Sequence, residues 1–261
     1  MDNPPKSSSE TSTPFRLDSI QVRSVPALSA LQWLQKGADD LRRCPLPSLS
    51  YGLIFFLMGQ ALLQVFRHAT EYSTTLAVIF LLLGPFLATG LYNISRQLQQ
   101  DKKVSFRKTT MSWQYNLPAI AVYVLVLAVI VLIFMRASLI TFALFYSGGM
   151  PTVGRFVEQL LQFQQMEFLI AYTLVTLFFS TIIFLISVVS IPLMMDKRTD
   201  AIIACITSLR VVAANPAAML IWAILILLLI GLSMASQYWL LMVVGPVLGH
   251  ATWHAYRATV A

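Results

Sequence analysis

Long uncharged windows set the plan of this chain. No Asp, Glu, Lys or Arg occurs from Cys44 to Phe66, from Tyr72 to Ser95, from Thr109 to Met135, from Phe168 to Met195, or from Val211 to Tyr256. A hydrocarbon layer about 30 Å thick is crossed by roughly 20 apolar residues in a helix. The first four windows therefore predict one span each, and the last, 46 residues long, predicts two. Small and polar residues from Ser233 to Gln237 mark the turn between those two. The expected spans are 48–66, 72–95, 118–136, 168–193, 216–234 and 238–256. The windows are continuously apolar and lack the two-residue alternation of barrel strands. The pattern predicts an all-α polytopic membrane protein with about six transmembrane helices. Residues 1–24, rich in Pro, Ser and Thr and without an apolar signal core, read as a disordered tail, and 25–261 as a single transmembrane domain. Residues 137–147 are apolar but too short for a span of their own, and either extend the third span or lie in the outer interface.

Charge distribution gives the orientation. With the N-terminus inside, 15 of the 18 Lys and Arg residues fall on the cytoplasmic side, and only Arg67, Arg136 and Arg155 remain outside. Both termini are then expected in the cytoplasm. A seventh span would turn Lys197, Arg198 and Arg210 outward, against this rule. Composition agrees with a membrane solvent: 57% of residues are hydrophobic and 11% charged, where soluble domains carry about 25% charged. The net charge of +7 is accounted for by basic loops facing anionic headgroups, without nucleic acid. Cys44 and Cys205 fall on the reducing side in no metal-type spacing, so neither a disulfide nor a metal site is indicated.

Two segments match without a gap. Residues 84–96 read GPFLATGLYNISR and residues 245–257 read GPVLGHATWHAYR, aligning Gly84, Pro85, Leu87 and Arg96 with Gly245, Pro246, Leu248 and Arg257, and Tyr92 with Trp253. Segments entering the odd-numbered spans also share a form, a polar or small residue, then Pro at the start of the apolar run, then Tyr51, Tyr123 or Trp222. An amphipathic stretch precedes each of them, and two show the pattern most clearly. In the first, Leu28, Leu31, Leu34, Ala38 and Leu41 share a face while Lys36, Asp39, Asp40 and Arg42 turn away; Ile202, Ile206 and Leu209 mark the second. These features predict three related helical hairpins with cytoplasmic amphipathic helices, the middle unit divergent because its second span has Pro192 without the paired Gly.

The runs LRRCPLPSLSYGL, GPFLATGLYNISRQL, SVVSIPLMMDKRTDAIIACITSLRVVAANP and GPVLGHATWHAYR resemble the bacterial integral membrane proteins catalogued as domain of unknown function 2189, over roughly residues 20–257. The resemblance implies a bacterial inner-membrane location and brings no activity with it. The cytochrome oxidase subunit I label carried by some members fails here, because a haem-copper core needs more histidine ligands than His68, His250 and His254 supply.

Candidate chemistry is sparse. His250 and His254 lie four apart on one helix face, a haem or metal alternative in which each would need a partner from another helix. Their counterparts Thr89 and Asn93 are also polar, so cross-helix hydrogen bonding is the simpler role, with Trp253 and Tyr256 anchored in the interfacial aromatic belt. Tyr92, Asn93 and Arg96 with Trp253, His254 and Arg257 form two aromatic and basic clusters at the cytoplasmic face, suited to a lipid phosphate. None of the 11 acidic residues lies within an expected span, which argues against ion-coupled transport. Asp196 and Asp200 read as part of a solvated, self-neutralising loop with Lys197 and Arg198. The sequence has no Walker loop, HExxH or GxSxG element. The expectation is a non-enzymatic protein without a cofactor, engaged in membrane organisation, lipid interaction or support of a membrane complex. Its partners are membrane lipids, anionic ones included, with a protein partner or homo-oligomer left open. A passive transporter or channel is the second reading and a haem-binding redox protein the third.

Overall fold

A computed structural model describes residues 20–69, 72–146 and 165–261, and all the elements among them are helical. They are α1 (Ser29–Arg43), α2 (Pro45–His68), α3 (Ser73–Gln99), α4 (Phe106–Thr110), a 3₁₀ turn (Ser112–Asn116), α5 (Leu117–Phe145), α6 (Met166–Ser187), α7 (Ser190–Lys197), α8 (Ala201–Ala214), α9 (Pro216–Ala235) and α10 (Leu241–Thr259). Proline sits in the first turn of α2, α5 and α9, where its missing N–H would be unpaired in any case and its fixed φ already suits a helix.

Among the described residues five stretches are long and apolar enough to cross a membrane: Pro45–His68, Thr75–Gln99, Ser112–Phe145, Met166–Lys197 and Pro216–Ala235. Within Met166–Lys197 the helix breaks at Val188 and Val189. Pro192 has no N–H to give the Val188 carbonyl, four residues back. Residues 137–145 extend the third apolar helix, and residues 147–164, Arg155 included, lie outside the described residues. The turn after α9 falls at 236–240, where Gln237 and Tyr238 take left-handed φ values of 54° and 67°.

α10 is not among the five, because His250, Thr252, His254 and Arg257 dilute its apolar character. Its C-terminal half is nonetheless enclosed, with Pro246, His250, Ala251, Trp253, Ala255, Tyr256 and Thr259 buried. Two glycines admit its neighbours. A Cβ on Gly37 of α1 would stand 2.5 Å from the Val247 carbonyl oxygen and 2.8 Å from the Ala251 nitrogen, and one on Gly52 of α2 would collide with the Met242 backbone. The three backbones meet with no side chain between them. Trp33 of α1 also packs edge to face on Trp222 of α9, at 6.0 Å between ring centres.

Residues 20–24, assigned by sequence to the tail, are packed against the other end of the chain. Ile20 is buried, Val22 forms an antiparallel bridge with Val260, the Arg23 N–H donates to the Thr259 carbonyl at 2.8 Å, and the Ala261 N–H donates to Gln21 at 3.0 Å. Asn215, just before α9, clamps this strand-like segment by accepting from the Val25 N–H at 2.7 Å and donating to the Arg23 carbonyl at 3.0 Å.

Candidate functional site

The matched arginines of the two sequence repeats converge. Arg96, near the end of α3, and Arg257, near the end of α10, each place a guanidinium nitrogen 3.5 Å from the Asp196 carboxylate at the end of α7. The Tyr256 hydroxyl donates to the same carboxylate at 2.8 Å. Asp196 is therefore the hub of a built arrangement and not part of a solvated loop. Asp200 likewise has a structural task, its carboxylate accepting from the Ile203 N–H at 2.8 Å as the N-cap of α8.

Two open clefts flank this hub. One, of about 530 Å³, is lined by Asn93, Arg96, Gln100, Lys102, Lys103 and Arg198 among others. The second, of about 440 Å³, adds Gln99, Trp253 and Arg257 and shares Arg96, Gln100 and Asp196 with the first. Five cations thus surround one carboxylate at one end of the helices. Such a surplus attracts anions, and each basic residue contributes about 1 kcal/mol toward an anionic membrane surface.

Of the residues singled out by sequence, Arg96, Arg257, Asn93 and Trp253 line these clefts. Tyr92 and His254 turn into the packed interior: Tyr92 is buried, and the His254 side chain is 10% exposed. Trp253 and Tyr256 are also buried, at 1% and 0% exposure, which corrects their assignment to an interfacial belt. Asn93 donates to the Ser112 hydroxyl at 2.7 Å. Sequence reasoning missed Asp196, Lys102, Lys103 and Arg198 as cleft residues. The available signal was the abrupt appearance of Asp196 directly after an apolar run.

Behind the second cleft lies a buried polar network joining α1, α2, α3 and α10. Asp40, expected on the outer face of α1, is 5% exposed and lies 2.8 Å from His254 Nε2, which corrects that expectation. Gln99 bridges His254 Nδ1 at 3.2 Å and the Trp253 indole N–H at 3.0 Å. His250 is completely buried, with Ser48 Oγ 2.9 Å from Nε2 and Ser95 Oγ 2.8 Å from Nδ1.

The donor pattern can be assigned from one end. The Trp253 indole only donates, so Gln99 must present its oxygen there and its amide hydrogens to His254 Nδ1. That makes His254 a neutral ring with its proton on Nε2, donating to Asp40. His250 holds a serine hydroxyl on each ring nitrogen, Ser48 on Nε2 and Ser95 on Nδ1, and since a neutral ring donates from one nitrogen and accepts at the other, one hydroxyl accepts while the other donates. Burial pushes the Asp40 carboxyl up, but the hydrogen bonds from His254 and Ser95 outweigh it and hold the group below its ordinary value. Both nitrogens of each ring are engaged, so ligation of iron by either histidine would break this network.

Residues 73–196 match the model of a family described as "Predicted integral membrane protein (DUF2189)". The match begins at the first residue of α3 and ends at Asp196, so it contains Arg96, Lys102, Lys103 and Asp196 and leaves out α1 and α10. No curated protein and no solved structure matches the chain.

Proposed function

For a chain whose residues 73–196 match a family of predicted integral membrane proteins (DUF2189), we propose a non-enzymatic role in membrane organisation, exercised by binding the phosphate headgroup of an anionic lipid at the cytoplasmic face of a bacterial inner membrane. The observation that carries this reading is the pair of clefts in which Arg96, Lys102, Lys103, Arg198 and Arg257 outnumber Asp196 at the ends of apolar helices. Arginine presents a planar fork of donors suited to phosphate oxygens, and the long contacts to Asp196 leave donors of both guanidinium groups for a ligand.

The same reading takes α10 as a sixth span. Residues 21–23 pair with residues 259–261, so both ends of the described chain lie on one face, and a chain that returns to its starting face has crossed an even number of times. The five apolar helices among the described residues make an odd number, and α10, 19 residues long, supplies the missing crossing. Its polar positions are tolerated because they are buried in protein and hydrogen-bonded, away from lipid. The convergence of Arg96 and Arg257 on one carboxylate supports the reading of α2–α3 and α9–α10 as related hairpins, with α5–α6 as the divergent third.

Native mass spectrometry of protein extracted in mild detergent tests the function. Wild type should retain phosphatidylglycerol in preference to phosphatidylcholine, and Arg96→Ala combined with Arg257→Ala should lose that preference. Equal retention by both proteins, or retention by neither, would overturn the assignment.

A further inference from the structure

The cleft does not end at its basic rim. Arg198 lines the first cleft and also a second cavity of about 360 Å³ between the start of α5 and the start of α8, where Pro118, Ala119, Val122, Thr199 and Ile202 form the walls. This crevice is mostly apolar, and it opens where Val122 and Ile202 are 49% and 68% exposed on the outer surface of the helices. Pro118 is in the first turn of α5, one of the five apolar helices. The crevice therefore runs from the charged cytoplasmic end to the level at which acyl chains begin.

Two further features are concentrated at its head. Arg198 holds a left-handed backbone, φ 52° and ψ 36°, directly after α7. Glycine usually fills that position because a Cβ is disfavoured there, and Arg198 makes no hydrogen bond or ion pair among the described residues that would account for an arginine. Beside it, the Thr199 hydroxyl is buried without a hydrogen-bond partner, although buried polar groups are paired as a rule. The loop is not loose. The Asn116 side chain donates to the carbonyls of Met194 at 3.0 Å and Thr199 at 2.8 Å, fixing α5 to this segment.

We propose that this crevice seats one acyl chain of the anionic phospholipid whose phosphate occupies the basic cleft, with Arg198 on the phosphate and the Thr199 hydroxyl donating to the phosphate or the adjoining ester. The inference rests on the headgroup reading above and adds the ligand's apolar half and its lateral route of entry from the cytoplasmic leaflet. Asp200, also at the crevice, caps α8 by accepting from the Ile203 N–H and is not among the residues that line the basic cleft itself.

The test is photolabelling in phosphatidylcholine vesicles doped with a phosphatidylglycerol that carries a diazirine at the top of one acyl chain. Peptides containing Pro118 to Val122 and Thr199 to Ile202 should dominate the labelled set, and the same diazirine on phosphatidylcholine should show no such focus. Arg198→Gly relieves the left-handed residue and should fold at least as well as wild type, yet cut the focused labelling about tenfold, the scale of one lost charge-assisted hydrogen bond. Thr199→Val should likewise leave stability undiminished and reduce labelling, and Val122→Trp, at an exposed position, should exclude the chain. Labelling spread evenly along the apolar helices, or focused labelling unchanged by Arg198→Gly and Val122→Trp, would overturn the acyl seat. If at the same time Arg96→Ala with Arg257→Ala still abolishes phosphatidylglycerol retention, the headgroup site stands without it. Protection of the cleft by inorganic phosphate with no crevice labelling would identify a free phosphate as the ligand and overturn the lipid assignment. Absence of any anionic-lipid retention by wild type would overturn both.

Discussion

Removing the Asp40 carboxylate should unseat α1 from α10. Asp40→Ala deletes the acceptor of the hydrogen bond from His254 Nε2–H and the carboxylate beside the Ser95 hydroxyl, at a site where the aspartate side chain is 8% exposed and the histidine 10%. Hydrogen bonds to a charged group are worth about 1.5–3 kcal/mol each, partly offset by the cost of burying the carboxylate, so a net loss of about 3 kcal/mol is expected. At about 2–4 °C per kcal/mol for a chain of this size, the melting midpoint should fall by about 6–12 °C. Asp40→Asn keeps the shape and one acceptor but turns a donor toward the Ser95 hydroxyl, for about half that loss. Thermal unfolding in mild detergent, followed by fluorescence of the buried Trp33, Trp222 and Trp253, reads both. The pH dependence has a defined sign. The folded carboxyl is held below its ordinary value of 3.8, so its contribution is complete above 3.8 and is lost as pH falls from there through the folded value. The advantage of wild type over Asp40→Asn should be largest at neutral pH and shrink in acid. Changes within about 0.5 kcal/mol for both variants, the range of ordinary surface substitutions, would refute the network as a structural tie.

Other substitutions separate packing from charge. Gly37→Leu should prevent the close approach of α1 and α10 and lower stability by about 3 kcal/mol or more, since the added Cβ meets backbone atoms that cannot move aside. Gly84→Ala, whose Cβ would meet nothing within 4 Å, should be neutral or stabilising by up to about 1 kcal/mol in the same melt. Asp196→Asn should move two readouts in opposite directions. Stability should fall by about 1 kcal/mol, because its arginine partners are 31% and 50% exposed and their pairs are screened, while phosphatidylglycerol retention in native mass spectrometry should rise as Arg96 and Arg257 are released. A fall in retention would contradict the role of Asp196 as a competing anion.

What could be read from the chain follows from the range of the forces involved. Apolar windows such as Thr109–Met135 reveal their helices because hydrophobicity summed over one continuous segment decides insertion, with no partner required. α10 was legible only as the second half of a 46-residue uncharged window, since its own polar residues mask it and are explained by partners elsewhere. Asp40 shows the limit. Beside Lys36, Asp39 and Arg42 it reads as part of a wet face, and its partner His254 lies 214 residues away. Asp196 was misread in the same way, because Lys197 and Arg198 offer neighbouring charge in sequence while the end of α7 points the carboxylate at α3 and α10. The matched Arg96 and Arg257 were visible from alignment, but their convergence on one carboxylate is a tertiary fact. Trp253 and Tyr256 look like interfacial anchors until the fold buries them, with Gln99 of α3 and Asp196 of α7 taking their donors.

The claim on which the cleft, its orientation and its ligand all depend is that α10 crosses the membrane and returns the chain to the face of residues 20–25. Single cysteines at Gln21 and Gln237, both exposed, and at Ala261, placed in a background with Cys44→Ala and Cys205→Ala, test it with an impermeant maleimide on sealed vesicles of both orientations. Six crossings predict that Gln21→Cys and Ala261→Cys are labelled only from the cytoplasmic side and Gln237→Cys only from the opposite side. Labelling of Ala261→Cys from the same side as Gln237→Cys would contradict the account.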